Sequence, residues 1–224
     1  MKKMCKVLLM VSLVLLWSGG ALAQDAVKAD AAHYKVVFEN PSVRVLKIAY
    51  PAGAKSVMHQ HPDTIVIPLV ASKVRFTMPD GKSEDADLAN ESAMYAPAVT
   101  HNPTNMGTGP IDAVLVEFKS AAPGTATLPA SREGMAMKVL AEGPRAMAYR
   151  TTADPTFQEP AGSKHDYDQV VIALGSAQMS LSIDGKPAKT SWKRGDVQFI
   201  GRGVAHESKN NTGKPVDFVI VAIK

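Results

Sequence analysis

The chain has 224 residues, a formal charge of +4 and an apparent pI near 9.1. Three of the positive charges, Lys2, Lys3 and Lys6, fall in the first 23 residues, where no acidic residue accompanies them, so the remainder holds about +1. With sparse aromatics and no block of five like charges, that balance excludes a nucleic-acid or anionic-membrane binder.

Met1 to Ala23 reads as a secretory signal peptide. The three lysines form its basic start, and Ala21-Leu-Ala23 is a small-x-small cleavage site. Its apolar core, Val7 to Trp17, falls short of the roughly 20 residues that span a bilayer. The expectation is a periplasmic or secreted protein that starts at Gln24 and has no stable membrane insertion. Cys5, the only cysteine, precedes the apolar core instead of sitting at the cleavage site, which excludes a lipoprotein anchor. Without Cys5 the mature chain has no disulfide, thiolate ligand or cysteine nucleophile. Gln24 to Ala32 reads as a loose N-terminal arm.

Beyond the arm the pattern is one of short strands. Val43 to Ile48, Ile65 to Leu69, Val74 to Met78, Ala93 to Ala96 and Ala113 to Phe118 are β-favouring runs, and Pro79-Asp-Gly81 and Asp184-Gly185 suit hairpin turns. Prolines at 41, 51, 62, 68, 79, 97, 103 and 110 bar a long helix from the first half. Many short strands between Gly/Pro turns indicate an all-β sandwich or barrel.

The sequence also repeats itself at an offset of 103 to 105 residues. Lys35 to Pro41 matches Lys138 to Pro144, and Ile65 to Leu69 matches Val170 to Leu174. Asp80 to Lys82 matches Asp184 to Lys186, His101 with Asn105 matches His206 with Asn210, and Val114 to Val116 matches Val219 to Val221. Ser120 to Ser131 is small, polar and proline-bearing, as a linker is. The division expected is therefore a first domain at 33–119, a linker at 120–134 and a second domain at 135–224.

Gly53-Ala-Lys-Ser-Val-Met-His-Gln-His61 places His59 and His61 two residues apart, on one face of an extended strand. Two imidazoles on one face can share a Zn, Cu, Fe or Ni ion. His101, in the turn-rich Ala96 to Asn105, is the candidate third ligand. Glycine, five residues and His-x-His, followed by a proline turn and His-x-x-x-Asn, resembles the cupin superfamily, and the repeat then resembles a tandem pair of cupin jelly rolls, a bicupin. The resemblance implies one divalent ion (Fe, Mn, Ni or Zn) on His59, His61 and His101. The family's glutamate ligand would fall on Thr64 or Ile65, neither of which offers a carboxylate. Aligned on Val170 to Leu174, the second half has Ser163, His165, Gln169 and His206 at the ligand positions, a degenerate site.

Glu117 and Tyr95 are the candidate catalytic residues, though neither is assigned a role. Glu117 either replaces the missing carboxylate, serves as a base, or is a strand-end charge beside Lys119; the last is preferred because isolated charges are usually exposed. Tyr95 lines the pocket or fills the core. Asp63 shares the face of His59 and His61, across Pro62. The resemblance implies either a metal-dependent enzyme, dioxygenase-like or isomerase-like, acting on a small anionic molecule, or a non-catalytic binding protein with a structural metal or none. Fold does not choose between them.

Overall fold

The structure, a computed structural model, describes residues 24–119 and 125–224, so the predicted signal peptide and the start of the linker lie outside it. The first half comprises β1 (Gln24–Asp25), a four-residue helix α1 (Ala26–Ala29), β2 (Tyr34–Glu39), β3 (Val43–Tyr50), β4 (His59–His61) and β5 (Thr64–Pro68). It continues through β6 (Ser72–Thr77), β7 (Ser83–Leu88), β8 (Met94–Ala96), β9 (Val99–Asn105) and β10 (Ile111–Phe118). The second half comprises β11 (Met135–Glu142), β12 (Ala146–Ala153), β13 (Asp168–Ala173), β14 (Ala177–Ile183) and β15 (Lys186–Pro187). It ends with β16 (Ser191–Trp192), β17 (Val197–Ile200), β18 (His206–Asn210) and β19 (Val216–Ile223).

The all-β expectation holds: α1 is the only helix among the described residues, none of whose helices is long and apolar enough to cross a membrane. Each half folds its strands into two sheets. In the first they run β1-β4-β9-β6-β7 and β2-β3-β10-β5-β8; in the second, β11-β12-β19-β13-β17 and β15-β14-β16, with β18 also on β14. The shared order of β2-β3-β10-β5 and β11-β12-β19-β13 is the sequence repeat expressed as topology.

The repeated asparagines close equivalent turns. Asn105 Nδ2 donates to the carbonyls of Tyr50, Pro51 and Gly109, while its Oδ1 accepts from Gly107 N. Asn210 Nδ2 donates to Ala153, Asp154 and Lys214, and its Oδ1 accepts from Thr212 N. One amide, its two hydrogens shared among three turn carbonyls, ties the turn together, which explains the Asn of His-x-x-x-Asn as a structural staple.

The largest core lies between the halves. Val114, Val116 and Phe118 of β10 meet Ala146 and Ala148 of β12, Val170 and Ile172 of β13, and Val219, Val221 and Ile223 of β19. Successive residues of a strand face opposite ways. Ile111 and Leu115 of β10 therefore turn into the first barrel, where they join Tyr34, Leu46, Tyr50 and Val74. Phe218 of β19 likewise enters the second barrel, packing with Phe157, Met179 and Trp192. A strand buried on both faces reads as an unbroken apolar run, as 113–118 and 218–223 nearly do.

Two segments depart from expectation. The N-terminal arm is not loose: β1 pairs in parallel with β4, Ala26 is fully buried, and the Asp25 carboxylate caps α1 while pairing with Arg44. Its Asp30 carboxylate accepts from Ser56 Oγ at 2.6 Å and from His33 Nδ1 at 2.8 Å. The described part of the linker is likewise held, with Ala126 packed among Met147, Tyr149 and Tyr167, and Arg132 paired to Glu159. Arm and linker each carry an arginine–carboxylate tie and a buried alanine, which offset the entropy of ordering a short segment.

Because the main core is shared, the halves should unfold together. Calorimetry is expected to give one transition with calorimetric and van't Hoff enthalpies in agreement. Ile172→Ala, a change in the second half, should cost about 2–5 kcal/mol and lower that whole transition. Two resolved transitions would contradict the shared core.

Candidate metal centre

Strand β4 carries His59 and His61 on one buried face, and β9 runs antiparallel beside it with His101 directly opposite His59. The ring centroids lie 4.8 to 5.4 Å apart, and one nitrogen from each of the three falls within 4.8 Å of the others. The structure thus gathers the three histidines named from the sequence.

The outer nitrogens set the tautomers. His59 Nδ1 donates to the Val57 carbonyl at 2.8 Å, and His61 Nδ1 donates to Glu117 Oε1 at 2.7 Å. Each ring then turns an Nε2 lone pair inward, where the two atoms stand 3.0 Å apart. The Tyr34 hydroxyl lies 3.0 Å from His59 Nε2 and donates to it. One hydroxyl hydrogen cannot satisfy two nitrogens, so the cluster carries more inward lone pairs than protons. That is the donor set of a cation site. Phe76 stacks on His101 at 5.1 Å and closes the apolar side.

Glu117 corrects the preferred sequence reading. It is 1% exposed instead of a solvated strand end, and Lys119 pairs with Glu39. Its Oε1 accepts from His61 Nδ1 and its Oε2 accepts from Arg44 Nε at 2.5 Å; Arg44 in turn reaches Asp25. Glu117 therefore acts behind His61, not in the inward position of a ligand or base. The lost glutamate position also resolves: Ile65 faces the shared core, whereas Thr64 is the buried partner of Glu117 in the register of β5 and β10. A carboxylate thus stands on the strand next to the position where the family pattern would place one.

Tyr95 does not belong to the centre. Its hydroxyl donates to Asp63 Oδ2 at 2.7 Å, its ring stacks on Phe118, and it lies so close to Gly143 of the second half that a Cβ there would sit 2.3 Å from the ring. Asp63 leaves the histidine face with it, accepting also from Ala98 N and lying 3.7 Å from Arg145. Pro62 ends β4 and lets the chain turn away.

In the second half Ser163 points aside and donates to the Pro160 carbonyl. His206 Nδ1 donates to the Val204 carbonyl, and its Nε2 accepts from Gln169 Nε2 at 3.3 Å. His165 stacks on Tyr167 at 5.0 Å. Glu159, which the sequence reading missed, brings a carboxylate within 4.8 Å of the ligand nitrogens of His165 and His206, but Arg132 already holds it. Glu159 lies in an irregular loop without periodicity; its one sequence signal was a glutamate flanked by Gln158 and Pro160.

Burial, reinforced by His61 and then His59, pushes His101 down to about 3; burial likewise lowers His59. On unfolding, both regain proton affinity near 6.5. The unfolded chain then binds more protons than the folded one below that value, so stability falls as pH drops from 6.5 toward 3. In chelator, the Tm should decline across this window, and His101→Asn should flatten the decline. An equally steep fall in that variant would contradict the assignment.

No family model matches the chain, and no curated protein does. Solved structures do. An oxalate decarboxylase variant from Bacillus subtilis aligns with TM-score 0.61 and 14% identity over 84% of this chain and 71% of that one. AerE from Microcystis aeruginosa aligns with TM-score 0.61 and 14% identity over 86% and 97%. Salicylate 1,2-dioxygenase from Pseudoaminobacter salicylatoxidans gives 0.59 and 10% over 81% and 70%. A cupin 2 conserved barrel domain protein from Leptotrichia buccalis gives 0.56 and 13% over 85% and 88%. At such identities the likeness is one of architecture, and the architecture of this chain is the all-β cupin fold.

Proposed function

We propose that this is an exported tandem cupin, with units at 33–119 and 135–224, whose first barrel holds one divalent metal ion on His59, His61 and His101. The single observation behind it is the pair of inward Nε2 atoms at 3.0 Å, each ring fixed by a proton acceptor on its far side. Two nitrogens each about 2.1 Å from one ion stand about 3 Å apart at a right angle, so the pair already has the spacing of neighbouring ligands. A divalent ion there would supply Lewis-acid or redox chemistry to a small ligand.

The chain's own residues define what that ligand meets. Three neutral imidazoles subtract nothing from the ion's charge. Behind them Glu117, Asp25 and Asp30 lie on the outer side of the rings, the first two paired with Arg44, so the ion would turn its positive face to the open positions. Apolar walls screen such a field poorly. A small carboxylate or enolate is therefore the favoured ligand. Oxalate and salicylate, the substrates in the names of two structural neighbours, are of this class. Tyr34 keeps its proton, because burial, with Tyr50 beside it, raises its hydroxyl well above the ordinary range; it can donate to a bound oxygen or to His59 but cannot serve as a base.

One observation favours the alternative, a binding protein without catalysis. The carboxylates behind the triad are all engaged, Glu117 and Asp25 with Arg44 and Asp30 with Ser56 and His33, which leaves no free base there among the described residues. Turnover in this reading would have to come from the ion and its ligand alone.

Metal analysis of protein isolated from its own compartment should find one equivalent per chain. His101→Ala should abolish it and His206→Ala should leave it unchanged; equal losses from both would overturn the proposal. Glu117→Gln should weaken metal affinity about 10- to 100-fold in competition with a chelator, because the His61 proton loses its anionic acceptor.

A further inference from the structure

The second barrel contains a cavity of about 90 Å³ between its sheets. Its wall is mostly apolar, built from Met135, Phe157, Met179, Leu181, Ile200 and Phe218. Two polar side chains on this wall lack a hydrogen-bond partner within the protein: the Thr151 hydroxyl and the Trp192 indole N–H. Both residues are more than nine-tenths buried, at 5% and 3% exposure. Buried donors without partners are uncommon, and each costs about 1–3 kcal/mol unless something answers it.

Most of the polar end of the cavity is already paired, His165 being stacked on Tyr167. Arg132 neutralises Glu159, and the Gln169 amide occupies the His206 nitrogen that would otherwise face inward. The guanidinium stands where it would repel a cation, and Glu159 stands where it would repel an anion. An apolar cavity of about 150 Å³ admits benzene, so this smaller one suits a small ring or a short branched chain.

We propose that the second barrel is a metal-free pocket for a small neutral organic molecule, mostly apolar, bearing a carbonyl-type acceptor for the Trp192 N–H or the Thr151 hydroxyl. The two halves then differ in kind: the first answers a cation with lone pairs, the second answers an acceptor with hydrogens. This pocket does not depend on the ion assigned to the first barrel.

Trp192 provides the readout. The chain has two tryptophans, and Trp17 lies in the first 23 residues, so in the full chain carrying Trp17→Phe the emission comes from Trp192 alone. Titration with cyclopentanone should change that emission saturably, and titration with isobutyrate or Zn²⁺ should not. Thr151→Val should weaken the ketone about 2- to 10-fold, the range of one hydrogen bond. Ala153→Leu, which fills the cavity, should abolish the response while thermal unfolding shows the variant folded. His101→Ala should leave the response intact. No saturable response, tighter binding of isobutyrate than of the ketone, or an undiminished response in Ala153→Leu would each overturn the proposal. So would a Zn²⁺ response lost in His165→Ala, which would make the second barrel a metal site.

Discussion

From Ala113 to Phe118, strand β10 has no solvent face. Val114, Val116 and Phe118 belong to the core between the halves, and Ile111, Leu115 and Glu117 point into the first barrel. Glu117 therefore has no route to water, and a buried carboxylate persists only when paired and hydrogen-bonded. Arg44, its register partner on β3, and His61 supply what water would have supplied. The same pairing fixes the tautomer of His61, the angle of its ring and the position of the arm that Arg44 holds through Asp25. Removing one member of such a buried set costs about 3–5 kcal/mol, so the centre and its scaffold are stabilised by the same bonds.

Much of this was legible beforehand. The strand runs, the proline-barred helices, the repeat and the three histidines depend on local pattern and spacing, which the sequence displays directly. Glu117 was misread because the rule applied to it, that isolated charges are exposed, holds for strands with a wet face. The unbroken apolar run around it was the contrary signal, and it was visible. Thr64 and Ile65 could not be separated without knowing which face of β5 meets the other half. Glu159 depends on a loop whose path no periodicity records. Of the two readings of Tyr95 the core-filling one holds, and it could not be chosen from sequence because its close neighbour, Gly143, lies 48 residues away in the other half.

The two halves keep the same backbone devices and exchange the side chains that face inward. Asn105 and Asn210 hold equivalent turns with the same set of bonds. Glu117 and its repeat counterpart Ala222 occupy the same place on β10 and β19; one is the centre's carboxylate and the other a small residue packed beside Tyr149 and Tyr167. Met147, the register partner of Ala222, stands where Arg44 stands beside Glu117.

The alternation along β10 and β19 also bears on how such a chain can diverge. Each half supplies one wall of the core they share, so a deletion of either strips apolar surface from its neighbour. The interior-facing positions carry no such obligation, because each group of ligand positions is drawn from its own half. A duplicated chain of this kind can therefore change the chemistry of one pocket, residue by residue, while the second copy keeps its original role and the shared wall holds both upright.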